Sequence, residues 1–477
     1  MADPGDLRGE LDGVLQAAAE EARAYLAAID DEPVKPPGAE AALPPPATPL
    51  PTDGSGAPDA VAELAELCRS SALRSSGPRF FHFVMGGGTP AALAADWLTS
   101  AVDQVAFAWV SSPLAARLEQ IAVSWLRDLF ELPDDFAGVL TSGATMANFT
   151  GLAAARNWWG ERHGIDVERD GLAGAPPVPV LSSGHLHPSA VEALGLLGIG
   201  RGARTLAADG TGRLDVGRLE RELAALDGAP SIVIGNAGEV NAGGFDPLEA
   251  LADLAERHGA WLHVDGAFGL FARLAPEAAP LAAGVERAQS VITDCHKCLN
   301  VPYDSGVAFV REPRRLAAAF AAGAPYLPAT DEPRPSFGFL APENSRRARS
   351  LAVWATLRAY GRSGHRSMVE RHLALARRLA GRVESESELE LLARPRLNIV
   401  CFRSRPADAE EAELDELNGE LGAALLEDGR VFAGTTVYDG KVAFRPALVN
   451  WRTRAEDVDL LVDVLLELAA RTRARRA

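Results

Sequence analysis

Residues 261–298 contain an acid and a lysine placed where both could act on one small molecule. Two short apolar runs in this stretch are typical of buried strands; one ends on Asp265 and the other is followed by the pair His296–Lys297. A lysine amine can form a Schiff base with an aldehyde, and a carboxylate can keep a pyridine nitrogen protonated so that the ring accepts electrons. This combination predicts a site for pyridoxal 5'-phosphate.

The expected surroundings of both groups suit this chemistry. Asp265 follows residues 261–264, an apolar run expected to be fully buried, so its carboxylate needs a positive partner to offset the cost of leaving water. A protonated pyridine nitrogen is such a partner. Lys297 also follows a strand, where partial desolvation favours the uncharged amine that forms an imine. The alternative, a surface lysine whose stem covers apolar residues, is disfavoured by the other polar groups that follow strands.

The turn at residues 141–145 is the predicted phosphate site. It lies between a strand that ends at Leu140 and a helix that begins near Met146. A glycine-containing turn that opens a helix offers backbone N–H groups and hydroxyls to an anion, and the helix dipole adds to the attraction. Ser and Thr also begin many helices as simple caps, so the turn alone does not distinguish the two roles.

A histidine-containing turn, residues 183–187, follows another predicted strand. A histidine there can lie flat against an aromatic cofactor and present a nitrogen to the substrate carboxylate. His187 is favoured over His185 because it directly precedes the helix that begins near Ser189. His263 is left outside the predicted site, since a histidine within a buried strand could as easily be a core residue.

The cysteines indicate neither a disulfide framework nor a metal site. The chain has 4 cysteines, too few to staple a protein of 477 residues. Cys295 and Cys298 have the C-x-x-C spacing of a redox pair or of half a zinc site, but the second pair that a zinc ribbon needs is missing. We therefore predict no metal and a reducing compartment.

The elements that position these residues alternate between strand and helix. Apolar runs separated mostly by amphipathic helical segments predict an α/β fold with a mostly parallel sheet flanked by helices. Ligands of such sheets bind beyond the carboxyl ends of the strands, which is where the polar groups lie. The predicted strands are at 138–140, 178–181, 231–235, 261–264, 290–293 and 306–310, and the predicted helices are at 146–159, 189–199 and 247–258.

Two further regions flank this part of the chain. Residues 1–75 are predicted to be an N-terminal helical segment, with an amphipathic helix over 6–29 and a Pro/Ala-rich linker over 32–58. That helix could dock on a partner subunit or pack on its own chain. After the large domain, 76–350, the pattern predicts a smaller C-terminal α+β domain over 351–477. Its elements are predicted at 366–383, 397–403, 442–446 and 455–472.

Composition excludes several classes of protein. The formal net charge is -18, which argues against a nucleic-acid partner because phosphate contacts need clustered positive charge. The sequence lacks an apolar run of the roughly 18–20 residues that would span a membrane, and its N-terminus carries acids rather than a basic and then apolar signal segment. We therefore expect a cytoplasmic protein without membrane contact.

Taken in order, these motifs resemble a known family. The chain is similar to the group II pyridoxal-phosphate-dependent amino acid decarboxylases, which include aromatic-L-amino-acid, histidine and glutamate decarboxylases and have the fold-type-I architecture. The similarity runs from about Pro78 to Asp457. The markers are Ser112-Pro113, Leu118-Glu119, TSGATMAN at 141–148, SGHLHPS at 183–189, GEVNAGGFDP at 238–247, HVDGAFG at 263–269, DCHK at 294–297, SRRAR at 345–349 and FRPALVNWRT at 444–453.

The resemblance implies a role for individual residues. Lys297 would form the Schiff base, Asp265 would pair with the pyridine nitrogen, and His187 would stack on the ring. Ala267 would pack against the other face of the ring. The phosphate would be held by Gly143, Ala144, Thr145 and His296. Asp246 would orient the site, and Arg445 would lie near the cofactor or the substrate.

The sequence also departs from the family pattern. Met146 stands where the family has an acid, and Glu239 and Val240 replace two threonines common before Asp246. These changes leave the local hydrogen bonding to cofactor or substrate open.

The loop at 330–345 is the departure that bears most on the product. Many family decarboxylases carry a tyrosine on this loop that protonates the product carbon, and relatives with phenylalanine there tend to give aldehydes. This loop contains Phe337 and Phe339 and no tyrosine, although Tyr326 lies just upstream. Its Pro and Gly content predicts a mobile lid.

The resemblance implies decarboxylation of an L-amino acid to an amine and CO2. Oxidative decarboxylation to an aldehyde is the first alternative, and an aminotransferase or another fold-type-I lyase is the second. A non-catalytic relative is disfavoured because Lys297, Asp265 and His187 are all intact.

The substrate and the assembly are predicted only in outline. Phe83 and Trp109 belong to segments that line the entrance in the family, and they favour an apolar or aromatic substrate side chain, although aromatic residues are often simply core. Tyr326, Phe337 and Arg445 complete the predicted substrate and lid residues. The resemblance also implies a homodimer with the site at the subunit interface.

Overall fold

The structure is a computed structural model that describes residues 9–202, 204–205, 213–321 and 334–476. The start of the predicted first helix and Tyr326 lie outside the described residues. The described chain forms two sheets with helices packed on them, and the larger sheet holds the predicted site.

The larger sheet has seven strands, and each strand predicted from the sequence is present. Its strands are β1 (Phe136–Thr141), β2 (Val180–Ser182), β3 (Arg204–Thr205), β4 (Ile232–Asn236), β5 (Trp261–Asp265), β6 (Ser290–Asp294) and β7 (Gly306–Arg311). They are ordered β1-β7-β6-β5-β4-β2-β3 across the sheet. The five central strands are buried along almost their whole length, which explains their continuous apolar sequences.

One strand runs against the rest. β2 to β6 pair in parallel, whereas β7 is antiparallel to both β6 and β1. The segment 295–305 between β6 and β7 contains no helix. A parallel return needs a crossover of a dozen or more residues, usually through a helix, so this short connection makes β7 turn back. The mostly parallel α/β sheet predicted from the sequence is confirmed.

Helices cover the two faces of this sheet. The N-terminal region contains α1 (Leu11–Ala28) and α2 (Ala57–Ser71). The helices of the larger sheet follow in chain order: α3 (Pro90–Val102), α4 (Pro113–Leu129), α5 (Ala144–Arg162), α6 (Val167–Asp170), α7 (Pro188–Leu196), α8 (Val216–Ala225), α9 (Leu248–His258) and α10 (Arg314–Phe320). α5 packs against β6, β7, α7 and α10. Its buried residues lie on most sides of the helix because it is enclosed by these elements, and Trp159 within it is fully buried.

The smaller sheet follows a long helix. α11 (Ser350–Ser385) leads to β8 (Leu389–Ala393), β9 (Cys401–Ser404), α12 (Leu414–Asp428), β10 (Thr435–Tyr438), β11 (Lys441–Phe444) and α13 (Ala455–Arg476). Gly361 interrupts α11 with φ 57°, so the chain forms two helical halves as the sequence pattern predicts. β8, α12 and β10 lie outside the predicted elements.

The N-terminal region makes a helical pair joined by irregular chain. α1 packs on α2, and residues 29–56 form turns without helix or strand. Neither helix contains a buried residue, and Leu11, Leu15 and Leu64 are more than half exposed. No helix among the described residues is long and apolar enough to cross a membrane.

Candidate active site

Lys297 lies just beyond the carboxyl end of β6, within a buried turn. Its Nζ is 2.7 Å from Oδ2 of Asp294, and the two side chains are 16% and 2% exposed. Gly86 presses against the other side of this turn: its N–H donates to the His296 carbonyl, and a Cβ at Gly86 would collide with the Lys297 carbonyl. The ammonium group is therefore held in place while its tip stays accessible.

Asp265 ends the neighbouring strand β5 and is almost fully buried. Its Oδ1 accepts the Ala267 N–H at 3.1 Å, and its Oδ2 accepts Nδ2 of Asn148 at 3.0 Å. Two neutral donors do not balance a buried carboxylate, because charged groups in a low-dielectric interior need a charged partner. The site therefore suits a cationic ligand group such as a protonated pyridine nitrogen.

His187 forms the N-cap of α7. Its Nδ1 accepts the backbone N–H of Ser189 at 3.2 Å and lies 2.7 Å from the Ser189 Oγ. Burial lowers the pKa of His187. The charge of Asp265 raises this pKa, and the charge of Lys297 lowers it further. The imidazole is therefore neutral near pH 7, with its proton on Nε2, and the charges of the predicted site surround it.

The turn at 141–145 leaves helix N–H groups free for an anion. α5 begins at Ala144 after the N-cap Gly143, and no described side chain caps it. The backbone of Gly306 comes so close to Gly143 that a Cβ at Gly306 would lie 2.8 Å from Gly143 Cα. Thr145, half-buried, lies in the first turn of the helix. The N-terminus of α5 has no side-chain cap, and the backbones of Gly143 and Gly306 pack closely together beside it. Its free N–H groups can therefore bind a phosphate group.

His296 lies beside this turn and in contact with an aromatic ring. A Cβ at Gly143 would lie 3.1 Å from its Cε1. Its Nδ1 accepts the Ser305 N–H at 3.3 Å, and burial lowers its pKa. Tyr303 stacks on the imidazole with 4.1 Å between ring centroids. Burial, together with the charge of Asp294, raises the pKa of Tyr303 to about 12.

Ala267, Arg445 and Phe83 lie around the same space. Ala267 follows Asp265 and binds its carboxylate through the backbone. Arg445 enters from the end of β11, and its Nη1 donates to the Phe83 carbonyl at 3.2 Å. The charge of Arg445 acts on the pKa of His187. Phe83 is 58% exposed, so its ring is available to another molecule.

The structure puts Trp109 and Phe337 elsewhere. Trp109 donates its backbone N–H to Pro335 and lies under the Arg117 guanidinium, 5.4 Å from the ring centroid. Phe337 is buried in the hydrophobic cluster that includes Leu316 of α10. An exposed phenyl ring is unfavourable in water, and burying it anchors this end of the loop. Among the described contacts, none joins either side chain to Lys297.

Two further acids support the site from behind. The Asp246 carboxylate accepts three hydrogen bonds of 2.7 to 3.1 Å, from the backbone N–H and Nδ2 of Asn236 and from the Leu214 N–H. Burial raises the pKa of Asp246. Asn236 in turn donates to Ser183 Oγ, at the start of the histidine turn. Asp246 thus orients neighbouring strand ends.

The hydrogen bonds of Glu239, which the sequence left open, lie within its own turn. Its carboxylate accepts the N–H groups of Asn241, Ala242 and Gly244, at 2.5 to 3.3 Å. It therefore stabilises its own turn where the family resemblance led us to expect threonines.

Sequence reasoning missed Asn148, Ser189, His263 and Tyr303. Asn148 lies within the TSGATMAN motif, one helical turn after Thr145, and that spacing places both on the same face of α5. This was the available signal, because residues on that face must point towards the strand ends. Tyr303 follows β6 in a turn for which the sequence offers no comparable signal.

The cysteines and potential metal ligands give no second chemistry. Cys295 and Cys298 are buried free thiols, and burial raises the pKa of each to about 12. Within the described ranges, no group of three or more His, Cys, Asp or Glu side chains is arranged to hold a metal ion.

Comparisons with known proteins agree with this geometry. Residues 48–405 match the model of the pyridoxal-dependent decarboxylase conserved domain. The chain is 33% identical to L-2,4-diaminobutyrate decarboxylase of Rhizobium meliloti, over 88% of this chain and 84% of that protein. It is 30% identical to tryptophan decarboxylase 1 of Oryza sativa subsp. japonica, over 78% of this chain and 76% of that protein.

Solved structures show the same fold. The structure of Oryza sativa TDC with PLP and tryptamine matches with a TM-score of 0.88 at 26% identity, and the match covers 98% of each chain. The chain therefore belongs to the family of pyridoxal-dependent decarboxylases and is a pyridoxal-phosphate-dependent amino acid decarboxylase.

Proposed function

We propose that the protein converts an L-amino acid with an apolar or aromatic side chain into its amine, using Lys297, Asp265 and His187. The observation that carries this proposal is the convergence of these three side chains at neighbouring strand ends, beside an uncapped helix start. Lys297 would bind the aldehyde carbon of the cofactor. The phosphate would be held by Gly143, Ala144, Thr145 and His296.

Each residue has a defined task in this proposal. Bound pyridoxal phosphate supplies an electron-accepting ring for the electron pair that CO2 leaves behind. Asp265 would hold a proton on the pyridine nitrogen, since its carboxylate is buried with only two neutral donors. His187 and Ala267 would contact the two faces of the ring. Arg445 would provide a cation for a carboxylate.

The proton on Lys297 must move before the amine can react. Asp294 lies 2.7 Å from Nζ and is the nearest base. In the free enzyme it stabilises the ammonium form, and it can accept the proton when the amine attacks. Asp294 is itself buried, which keeps bulk water away from this transfer.

The substrate class rests on the aromatic groups near Lys297. Phe83 and Tyr303 are both more than half exposed, although they belong to segments that pack around the lysine. An amino acid with an apolar or aromatic side chain would cover these rings. Relatives are named for different side chains: one is an aromatic-L-amino-acid decarboxylase, which matches this proposal, and another is an L-2,4-diaminobutyrate decarboxylase, named for an amino acid whose side chain carries an amino group.

Aldehyde formation is the second candidate. The loop at 330–345 has no tyrosine, and among its described residues Phe337 and Phe339 are buried. The chain is 27% identical to phenylacetaldehyde synthase of Arabidopsis thaliana over 84% of each protein. Without an acid to protonate the product carbon, reaction with oxygen would compete. Tyr326 remains the predicted alternative acid.

We further propose a homodimer with the site at the subunit interface. Val105, Val110 and Leu114 are 48 to 78% exposed and lie close to Trp109 along the chain. This apolar segment and the exposed leucines of α1 are candidates for burial against a second copy. Trp109 would then reach the partner's site.

The two sheets support the proposed domains 76–350 and 351–477, after the N-terminal segment 1–75. The free cysteines support a cytoplasmic location.

The test is mass spectrometry of the products formed from a panel of L-amino acids in air, without added keto acid. An amine from apolar or aromatic substrates supports the proposal. An aldehyde one carbon shorter would favour the second candidate. Transamination only after a keto acid is added would overturn both. Size-exclusion chromatography with light scattering tests the homodimer separately.

A further inference from the structure

A continuous line of buried hydrogen bonds lies behind Asp265. Nε1 of Trp261 donates to Ser290 Oγ at 2.8 Å, and Ser290 Oγ lies 2.7 Å from Nδ1 of His263. Nε2 of His263 lies 2.8 Å from Oδ1 of Asn148. The Nδ2 group of Asn148 then donates to Asp265 and to Ser189 Oγ. Four polar side chains, from Trp261 to Asn148, thus connect the interior of the sheet to Asp265 and Ser189.

The direction of the protons follows from the Asp265 end. A carboxylate can only accept, so Nδ2 of Asn148 donates to Asp265, and Oδ1 of Asn148 faces His263. Nε2 of His263 therefore donates its proton to Oδ1 of Asn148. Nδ1 of His263 is left to accept from the Ser290 hydroxyl, which itself accepts the Trp261 indole N–H.

The line then divides between the two groups proposed to touch the cofactor. With its oxygen bound to His263, Asn148 must turn its NH2 group towards Asp265 and Ser189. A reversed amide would put its oxygen against the Asp265 carboxylate and its NH2 against the Nε2–H of His263. The Ser189 hydroxyl, having accepted from Asn148, donates to Nδ1 of His187 at 2.7 Å.

The packing around His263 leaves no room for another arrangement. The imidazole is fully buried, and burial lowers its pKa to about 4. α5 passes it at Gly151, where a Cβ would lie 2.9 Å from Cε1 of the imidazole. A neutral ring in one tautomer is therefore fixed against the helix that carries Asn148.

We propose that His263 is a positioning residue that sets, through Asn148, the orientation of the Asp265 carboxylate. The histidine touches neither cofactor nor substrate, and it acts by fixing one amide. This inference rests on the proposed function, in which Asp265 and His187 contact the cofactor. It assigns a role to a side chain that the sequence pattern alone could equally have placed in the core.

The test compares three variants of the full chain loaded with pyridoxal phosphate. His263→Phe keeps a ring of similar shape but removes both hydrogen bonds. His263→Gln keeps a donor and an acceptor. His365→Phe is the matched control, because His365 is also buried and has a pKa lowered to about 4, but it lies in α11 against Tyr360. The readouts are the dissociation constant of pyridoxal phosphate, the visible absorption band of the bound cofactor, and near-ultraviolet circular dichroism as a check of folding.

We expect His263→Phe to weaken cofactor binding about tenfold, the cost of an unsatisfied buried acceptor, and to shift the absorption band. His263→Gln should restore most of the affinity and the band, and His365→Phe should change neither. A folded His263→Phe protein with unchanged affinity and band would overturn the proposal. Equal impairment of the Gln and Phe variants would also overturn it, since shape alone would then matter.

A second variant covers the case in which His263→Phe does not fold. Ser290→Ala removes the hydroxyl that donates to Nδ1 of His263 and leaves the imidazole in place. The affinity for pyridoxal phosphate should fall and the absorption band should shift, whereas a folded variant with unchanged affinity and band would overturn the proposal. Failure of the proposed function is distinguishable, because it would change the products that the wild-type protein forms and not the differences in cofactor affinity between the variants.

Discussion

Two buried ion pairs of this protein have similar distances but different surroundings. Arg346 and Glu119 lie 2.8 Å apart and are 1% and 2% exposed, and Lys297 and Asp294 lie 2.7 Å apart with 16% and 2% exposure. Glu119 also accepts the Leu140 N–H, and Arg346 also donates to the carbonyls of Ala106 and Leu140. Both carboxylate oxygens of Glu119 and both terminal nitrogens of Arg346 are thus hydrogen-bonded within the chain, and only Nε of Arg346 is buried without a partner among the described residues.

The second pair is incomplete. Oδ1 of Asp294 is buried without a hydrogen-bond partner among the described residues, and Nε2 of His296, an imidazole whose pKa burial lowers, is 3.6 Å away. The contrast teaches that distance does not separate a structural pair from a reactive one. Saturation of the carboxylate does: a pair whose carboxylate oxygens are both hydrogen-bonded holds the fold, and a pair with an unbonded carboxylate oxygen can exchange protons or bind a ligand.

The largest effect is expected when the incomplete pair is broken. Lys297→Ala should remove all turnover, because no other described amine lies at the site, while the melting temperature falls less than in Arg346→Met. Product formation by mass spectrometry and thermal unfolding followed by circular dichroism check both halves. Residual turnover near the wild-type rate would show that the reactive pair has been misassigned.

Breaking the saturated pair should instead affect the fold. Arg346→Met leaves Glu119 buried without a cation and should lower the free energy of unfolding by about 3–5 kcal/mol. The double variant Glu119→Leu/Arg346→Met should recover much of this loss, since no charge then remains buried. Urea titration measures both variants. If the double variant is as unstable as the single one, the cost comes from packing and not from the unpaired charge.

Acid should weaken the fold through buried histidines that belong to neither pair. The folded pKa values of His263, His365 and His372 are about 4, 4 and 3, against 6.5 for the exposed group. As the pH falls below about 6.5, the unfolded chain takes up protons that the folded protein does not. The free energy of unfolding should therefore fall, by up to about 1.4 kcal/mol per pH unit for each histidine.

Urea titrations at pH 7 and pH 5 check this slope. His365→Phe should make the dependence shallower because it removes one of the three groups, and its stability at pH 5 should move closer to that at pH 7. An unchanged slope would mean that His365 is already protonated in the folded state.

The smallest effect is expected for an exposed pair of the same length. Arg366 and Glu370 lie 2.7 Å apart on α11, and both side chains are 40% or more exposed. Arg366→Ala should change the free energy of unfolding by only about 0.3–0.5 kcal/mol, and less at high salt, because water screens the charges. A loss above about 2 kcal/mol would contradict the view that burial and saturation set the scale.

Much of the larger sheet was predictable because its strands are continuous apolar runs that end in polar residues. Trp261–Asp265 and Ser290–Asp294 show this pattern most clearly, and it located Asp265 and Lys297. The direction of β7 was not predicted, since an apolar run carries no sign of direction. Only the short connection 295–305 could have indicated it.

The smaller sheet was harder to predict for a physical reason. β8 and β10 are only partly buried, so their sequences, LELLA and TTVY, lack the apolar continuity of the central strands. In the site, Asn148 and His263 were not predicted because their roles depend on hydrogen bonds between elements far apart in sequence. Such partners become visible only when α5 lies against β5.

The kinked helix α11 has a consequence for how the molecule unfolds. Its first half packs on α3 and α4 beside the larger sheet, and its later turns pack on α13 and β8 of the smaller one. If the part of α11 that packs beside one sheet unfolds, apolar surface beside the other sheet becomes exposed as well. Heat should therefore unfold both sheets in one calorimetric transition. Gly361 bends the shared helix, but it does not divide the protein into two parts that are separately stable.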